Sequence, residues 1–280
     1  MGTGKVAFVL GGGGVLGAVQ VGMLRAVLER GIRPDLVVGT SIGAINGAII
    51  AADLDRALER LEAAWSSRDA RVLTSGMGLR PGRAHVMSTD PLRRLLEGGL
   101  EGAHRFEDLS VEFRCCAASV ERAAEHWFTA GPLVPAVLAS SALPGVFPAV
   151  RIGDEHFVDG GIVNSIPVGE ADDAGATEIY VMQVGRVEHP LAPPRTQIDN
   201  ARVAFEISRR HRFARDRARL ADGTRLHVLP TGTPSARSNR ISRNLTPAAI
   251  RRRMEAAHAA ASAYLDDEPG VADGTGRGAG

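Results

Sequence analysis

The chain has few cysteines, few aromatic residues and little net charge. Its 280 residues include two cysteines, Cys115 and Cys116, which are adjacent in a stretch that predicts a strand. Neighbouring strand residues point to opposite faces, so an ordinary disulfide between them is excluded. The spacing of a Cys/His metal site is absent, and no carboxylate cluster suits calcium. We therefore expect no disulfide framework, no metal and no cofactor.

Aromatic residues make up 4% of the chain and hydrophobic residues 44%. This composition favours helices packed closely on a sheet over an aromatic-rich β-sandwich. The formal net charge of +1 indicates no class of partner. No recognition module accompanies the arginines, so we expect no binding of nucleic acid.

Long apolar runs are missing as well. No run approaches the roughly 18 residues that span a bilayer. The N-terminus lacks the charged start, apolar centre and cleavage site of a signal peptide. We expect a soluble cytoplasmic protein, for which peripheral contact with the inner face of the membrane stays open.

The first fifty residues predict strand, glycine loop, helix, strand, sharp turn and helix, in that order. Such a βαβα start implies a mainly parallel sheet with right-handed crossovers. We predict a three-layer α/β/α fold in one domain over residues 1–265, followed by a disordered tail over 266–280. Further strands are predicted over 111–120, 126–129, 150–158, 178–184 and 226–229, and further helices over 54–65, 134–140, 168–174, 197–220, from Asp90-Pro91 and from Thr246.

The sharp turn is Gly39-Thr40-Ser41-Ile42-Gly43. A GxSxG sequence between a strand and a helix predicts a nucleophile elbow, which lifts the Ser41 hydroxyl clear of the backbone. Gly39 and Gly43 remove side chains that would crowd this corner, and the helix start places a positive dipole under the serine. The alternative is an ordinary strand-to-helix turn.

The glycine loop, Gly12 to Gly17, matches GxGxxG between the first strand and the first helix. Dinucleotide binding would require an acidic residue at the end of the second strand, where the chain has Val38 and Gly39 instead. The favoured interpretation is an oxyanion hole, in which N–H groups of the loop stabilise the charge of a tetrahedral intermediate. A plain tight turn is the remaining alternative.

A serine nucleophile needs a base within hydrogen-bond reach. The eight histidines are scattered, and none lies in a strand-end loop with glycine support. Asp159 follows a predicted strand and precedes Gly160 and Gly161, which would hold its carboxylate at a tight turn. Asp159 is the candidate base, and a turn aspartate bound to its own backbone is the alternative.

Four motifs in this order resemble the patatin-like phospholipase family. They are VLGGGGVLG at 9–17, GTSIGA at 39–44, ASSALPGVFPAV at 139–150 and VDGGIVNSIPV at 158–168. The resemblance covers residues 5–185 and implies a lipid acyl hydrolase with a Ser-Asp dyad and no catalytic histidine.

By this resemblance, Ser41 is the nucleophile, Asp159 is the general base, and the N–H groups of Gly13 and Gly14 form the oxyanion hole. The ASSALPGVFP stretch would shape the site beside them. The glycines that would support the motifs are Gly12, Gly17, Gly39, Gly43, Gly160 and Gly161.

The chain departs from the family pattern at Leu16, where arginine is usual. Without that charge, a preference for anionic phospholipids is less secure, and neutral esters or lysophospholipids become better candidates. Two rival functions stay open. One is a catalytically silent lipid-binding homologue, and the other is an α/β-hydrolase with a Ser-Asp-His triad.

Two further segments have a functional and a plain interpretation. Residues 72–90 predict a long loop, which is either a lid or an ordinary surface loop. The basic helix over 197–220 would either lie on an anionic membrane or form a solvated helix face. Its arginines, with those of the last helix, are Arg202, Arg209, Arg210, Arg212, Arg215, Arg217, Arg219, Arg251, Arg252 and Arg253.

Overall fold

The protein is represented by a computed structural model that describes residues 4–67, 87–185, 187, 190–232 and 246–268. Within these residues the strands are β1 (Lys5–Leu10), β2 (Leu36–Thr40), β3 (Glu112–Ser119), β4 (Ala124–Phe128), β5 (Val150–Ile152), β6 (Glu155–Asp159), β7 (Ala176–Met182) and β8 (Arg225–Val228). The helices are α1 (Ala18–Leu28), α2 (Ile42–Ala52), α3 (Ala57–Ser66), α4 (Asp90–Leu100), α5 (Leu133–Ser140), α6 (Val168–Asp173), α7 (Gln197–Arg217) and α8 (Pro247–Asp267).

The strands form one mixed sheet in the order β5-β6-β3-β2-β1-β7-β8, and β4 also pairs with β3. The pairs from β3 through β2, β1 and β7 to β8 are parallel. The pairs that join β3, β4, β5 and β6 are antiparallel. The predicted parallel centre is therefore confirmed, and an antiparallel end is added to it.

Helices cover both faces of the sheet. In β1, Phe8 and Leu10 join a core with α1 to α5 and α8, whereas Ala7 and Val9 join a second core with α6 and α7. Because β1 is buried on both faces, its sequence is continuously apolar instead of alternating. These layers confirm the predicted α/β/α architecture.

The register of the strands brings the candidate site residues to one edge of the sheet. Leu10 pairs with both Gly39 and Met182, so β1, β2 and β7 end side by side. On the other side of β2, Thr40 pairs with Cys116, and the next residue of β3, Ala117, pairs with Asp159 at the end of β6. Two strands therefore flank β3 and position the pair: β2 leads directly into Ser41, and β6 ends at Asp159.

Some boundaries differ from the prediction. The first helix starts as a 3₁₀ turn over Gly14–Gly17, because the loop glycines do not begin a regular α-helix. Asp90, which the sequence predicts as the N-cap before Pro91, is instead the first residue of α4, and Thr89 is the N-cap. The stretch predicted as one arm over 150–158 is the hairpin β5–β6, which turns at Gly153 with φ 61°.

At the C-terminus, α8 continues to Asp267, two residues into the predicted tail. Residues 269–280 of that tail and residues 72–86 of the proposed lid over 72–90 lie outside the described residues. Both cysteines are buried and unpaired. No helix in the described part of the chain is both long and apolar enough to cross a membrane.

Candidate active site

Ser41 occupies a sharp turn between β2 and α2. Its backbone angles are φ 59° and ψ −126°, a conformation that residues other than glycine rarely adopt. A Cβ at Gly43 would strike the carbonyl oxygen of Leu10, and one at Gly39 would lie 2.5 Å from the carbonyl oxygen of Gly43. The backbone at this corner therefore approaches itself so closely that both motif glycines are required.

Two serines at the end of α5 hold the elbow. The N–H of Ser41 donates to Ser140 Oγ at 3.0 Å, and Ser141 Oγ donates to the carbonyl oxygen of Ser41 at 3.0 Å. Strain of about 1–3 kcal/mol at such a residue persists only where the surroundings enforce it. The sequence predicts that ASSALPGVFP shapes the site, but it does not show that its two serines bind the Ser41 backbone.

The side chains of Ser41 and Asp159 form a direct hydrogen bond. Ser41 Oγ donates to Asp159 Oδ2 at 2.5 Å, and the other carboxylate oxygen, Oδ1, accepts the N–H of Gly161 at 2.7 Å. Asp159 is only 2% exposed. One carboxylate oxygen of Asp159 thus binds the local backbone, as in a turn aspartate, while the other faces the serine, where a base would have to lie.

Burial raises the pKa of Asp159 from 3.8 to about 6, although hydrogen bonds from Ser41 and Gly161 act in the opposite direction. Desolvation disfavours the charged carboxylate, which explains the raised pKa. A carboxylate with a pKa near 6 is ionised at neutral pH and is more basic than an ordinary aspartate. This pair can therefore transfer a proton from the serine hydroxyl at neutral pH.

The glycine loop lies against the elbow, as the βαβ start predicts. A Cβ at Gly12 would lie 3.3 Å from the Cβ of Ser41, and the N–H of Gly12 donates to the carbonyl oxygen of Ser165 at 2.9 Å. Gly13 and Gly14 are exposed, and their N–H groups bind no acceptor among the described residues. Gly14 has φ 56°, which favours glycine.

A buried polar network supports both ends of the glycine loop. Gln20 Nε2 donates to the carbonyl oxygens of Gly11 at 2.9 Å and Met182 at 2.8 Å. Asn46 Nδ2 donates to Gln20 Oε1 at 2.7 Å and to the carbonyl oxygen of Gly17 at 3.1 Å. Trp65 Nε1 donates to Asn46 Oδ1 at 3.2 Å. Sequence reasoning missed this network, whose only signal is a polar residue within each of the apolar helices α1 and α2.

None of the six histidines in the described ranges forms a hydrogen bond with Ser41 or Asp159. Four of them have acidic or basic partners elsewhere: His126 with Arg122, His156 with Glu121, His227 with Glu178, and His258 with Glu29. His85 and His189 lie outside the described residues. The described geometry offers Asp159, and no histidine, as the base beside Ser41.

Leu16 packs partly buried against the larger core and brings no charge to the loop. Among the described residues, no group of three His, Cys, Asp or Glu side chains could hold a metal ion. The reactive groups that the described residues bring together at this site are the Ser41 hydroxyl, the Asp159 carboxylate and the backbone N–H groups of the glycine loop.

Comparison with known proteins identifies the family. Residues 8–172 match the patatin-like phospholipase family. The chain is 31% identical over 193 residues to Lysophospholipase nte1 of Aspergillus terreus, and 31% identical over 191 residues to Patatin-like phospholipase domain-containing protein 7 of Mus musculus. The first alignment covers 66% of this chain and 12% of the relative, and the second covers 64% and 14%. The chain thus spans about an eighth of the length of these curated relatives.

The crystal structure of VipD from Legionella pneumophila has a similar fold, with a TM-score of 0.52 and 15% sequence identity. This likeness covers 94% of this chain and 67% of that chain, and it supports the fold alone. Because the family match spans more than half of the sequence, the chain belongs to the patatin-like phospholipase family.

Proposed function

We propose that this protein is a lipid acyl hydrolase that cleaves carboxylic esters through Ser41 and Asp159. The observation that carries the proposal is the 2.5 Å hydrogen bond between the Ser41 hydroxyl and the buried Asp159 carboxylate. It lies beside a glycine loop whose exposed N–H groups bind no described acceptor. The relatives named lysophospholipase favour lipid esters as substrates.

In the acylation step, Asp159 accepts the Ser41 proton while Ser41 Oγ attacks the ester carbonyl carbon. The N–H groups of Gly13 and Gly14 stabilise the oxyanion that forms. When the tetrahedral intermediate collapses, the bond to the leaving alcohol breaks and Asp159 returns the proton to that oxygen. Ser41 then carries the acyl group.

In the deacylation step, Asp159 accepts a proton from water as the water oxygen attacks the acyl carbon. The second tetrahedral intermediate releases the fatty acid, and Asp159 returns the proton to Ser41 Oγ. One carboxylate thus acts alternately as base and acid. A pKa near 6 suits both roles at neutral pH.

The test compares the hydrolysis of p-nitrophenyl esters of graded chain length and of lysophospholipids by wild type, Ser41→Ala and Asp159→Asn. We expect both variants to lose about 1,000-fold or more in kcat while circular dichroism shows an intact fold. Asp154→Asn is the matched control, because this aspartate is exposed in the β5–β6 turn. A folded wild type that binds lipid but releases no fatty acid would instead support the catalytically silent alternative.

A cytoplasmic protein in peripheral contact with the membrane is also part of the proposal. The supporting feature is a pair of exposed apolar side chains, one just after Asp159 and one on α7. Ile162, three residues after Asp159, is 42% exposed, and Ile207 on α7 is 55% exposed. A Cβ at Gly161 would lie 3.2 Å from the Phe205 ring, so α7 packs against the Asp159 turn.

Much of the charge on α7 is balanced within the helix. Glu206 pairs with Arg209 and Arg210, and Asp216 pairs with Arg212 and Arg215. Membrane contact would therefore depend mainly on the apolar side chains. Ile207→Glu should reduce cosedimentation with anionic vesicles, whereas Val120→Glu, at an exposed position outside α7, should not. Equal sedimentation of wild type and Ile207→Glu would contradict this contact.

A further inference from the structure

Buried polar atoms without a hydrogen-bond partner are concentrated around one side of the glycine loop. In the described part of the chain there are eight such side-chain atoms, and four belong to Ser165, Gln183 and Arg209. Buried polar groups in native proteins nearly always have partners. On the other side of the loop, Gln20, Asn46 and Trp65 leave no such atom. The unpartnered cluster therefore indicates a place for a polar ligand.

Contacts connect this cluster to the nucleophile. A Cβ at Gly12 would lie 3.1 Å from Ser165 Oγ and 3.3 Å from Ser41 Cβ, so the Ser165 hydroxyl and Ser41 flank the same glycine. A Cβ at Gly11 would lie 3.2 Å from the Ser165 carbonyl oxygen and 3.6 Å from Gln183 Cα. Ser165 and the end of β7 thus enclose the start of the loop.

Arg209 reaches the same place from α7. A Cβ at Gly185 would lie 2.7 Å from Arg209 Nη2 and 3.8 Å from Gln183 Oε1, so both side chains approach one point. Ser41 follows β2 and Gly185 follows β7, and these strands flank β1. Since adjacent strands are about 4.8 Å apart, Gly185 and the Arg209 guanidinium beside it lie about 10 Å from the serine.

The Arg209 guanidinium has more donors than partners. Arg209 is 3% exposed, and its Nη2 donates to Glu206 Oε2 at 3.0 Å. Its Nε and Nη1 have no hydrogen-bond partner among the described residues. A buried charge is costly unless it is paired and hydrogen-bonded. The side chain of Glu206 is itself 32% exposed, so it compensates the buried guanidinium only in part.

The geometry points to a subsite formed by Arg209, Gln183 and Ser165 that binds the phosphate ester of a lysophospholipid while its acyl ester lies at Ser41. This assignment rests on the proposed hydrolase function and specifies its substrate. The N–H groups of Arg209 would donate to the phosphate oxygens, because guanidinium groups form strong charge-assisted bonds with phosphate. Gln183 Oε1 would accept the hydrogen bond of the glycerol hydroxyl, and the hydroxyl of Ser165 would donate to the oxygen of that group. Such a mixture of donors and an acceptor fits a hydroxylated phosphate ester better than a neutral ester.

The ligand would reach the cluster from the exposed side of the glycine loop. Gly13 and Gly14 are exposed and Gly185 is half-buried. A Cβ at Gly13 would lie 2.5 Å from Val184, which stands between Gln183 and Gly185. Gly13, Gly14 and Gly185 carry no side chains that would cover the cluster from this side. Leu16 contributes no charge here, so Arg209 would carry the recognition of phosphate.

The test compares a lysophospholipid with the monoacylglycerol of the same acyl chain, both below their aggregation concentrations. Arg209→Met should lower kcat/KM for the lysophospholipid about 10- to 100-fold more than for the monoacylglycerol, since hydrogen bonds to charged groups have this strength. Arg209→Lys should restore part of the difference. The control is Arg25→Met, which removes a charge from an exposed position of α1 and should leave both substrates unaffected.

Ser165→Ala gives a second, structurally mild test. The Ser165 hydroxyl has no hydrogen-bond partner in the described ranges, so its removal should not reduce the melting temperature. We expect a several-fold rise in KM for the lysophospholipid, but a much smaller change for the monoacylglycerol. Equal losses on both substrates by Arg209→Met and no selective effect of Ser165→Ala would overturn the subsite.

Failure of the subsite and failure of the hydrolase proposal give different results. If wild type cleaves both substrates but Arg209→Met lowers kcat/KM equally for both, the subsite is wrong and the hydrolase proposal stands. If wild type cleaves neither substrate, the hydrolase proposal fails. The subsite is then tested by titration calorimetry of sn-glycerol 3-phosphate and of inorganic phosphate with Ser41→Ala. Binding of glycerol 3-phosphate that Arg209→Met weakens about tenfold or more supports the subsite. Equal binding of both anions indicates a general phosphate site instead of the proposed subsite. If neither anion binds, the subsite is overturned.

Discussion

The raised pKa of Asp159 predicts that Asp159→Asn stabilises the protein at neutral pH. Burial raises this pKa from 3.8 to about 6, a difference of about two units. Each unit corresponds to about 1.36 kcal/mol, so keeping the carboxylate ionised in the folded protein costs about 3 kcal/mol. Asparagine has nearly the same shape and no charge. It can still accept the N–H of Gly161, and its amide can donate to Ser41 Oγ.

The sign of the pH dependence follows from proton linkage. Between about pH 4 and about pH 6 the folded state binds more protons at Asp159 than the unfolded state does, so stability falls as pH rises. The stabilising contribution of this group is complete below its unfolded pKa and is lost as pH rises through its folded pKa of about 6. All other titrating groups are common to both proteins. The difference between Asp159→Asn and wild type therefore isolates Asp159.

Urea unfolding followed by circular dichroism from about pH 4 to about pH 8 measures this difference. We expect it to grow from near zero at the acid end to about 3 kcal/mol in favour of the variant above about pH 6. The exposed control Asp154→Asn should stay within about 0.5 kcal/mol of wild type throughout. A difference that does not change with pH, or a variant that is less stable than wild type above about pH 6, would show that the ionised Asp159 carboxylate does not destabilise the folded protein.

Three further predictions concern the same site. The kcat/KM for a p-nitrophenyl ester should fall on the acid side with an apparent pKa of about 6, because only ionised Asp159 accepts the serine proton; an acid limb near that of an ordinary aspartate would contradict it. Gln20→Met should lower kcat about 10- to 100-fold, lower the affinity for a tetrahedral-intermediate analogue and leave KM nearly unchanged, since it removes the hydrogen bonds that tie the start of the loop to the end of β7. A rise in KM alone would count against this positioning role. Gly43→Ala should destabilise the protein by about 1–3 kcal/mol in urea unfolding, because the new methyl strikes the Leu10 carbonyl oxygen. Gly98→Ala on α4 is the control, because it meets no atom within 4 Å and should be neutral or stabilising.

The sequence predicts the first part of the fold well, since its signals there are local. The continuous apolar run of β1 and the glycines around Ser41 locate the sheet centre and the elbow. The candidate base is harder to identify, because Ser41 and Asp159 are separated by 118 residues. Their meeting depends on the antiparallel pairing of β3 with β6, which no local pattern indicates. The resemblance to a family supplies that long-range information.

The supporting residues of the site could not be predicted for the same physical reason. Ser140 and Ser141 look like the polar end of an apolar helix, and Gln20 looks like an isolated polar residue in another. Their roles depend on hydrogen bonds to backbone atoms of distant segments. Arg209 is one of many arginines in a basic helix, and only tertiary packing shows that it is buried beside Gly185.

The central claim is that Ser41 is the nucleophile, and covalent labelling tests it most directly. The protein is treated with an alkyl fluorophosphonate, which reacts with activated serine hydroxyls, and the modified peptide is mapped by mass spectrometry. We expect one adduct on Ser41, formed in step with the loss of esterase activity and strongly slowed in Asp159→Asn. An adduct on another residue, or full esterase activity in the folded Ser41→Ala variant, would contradict it.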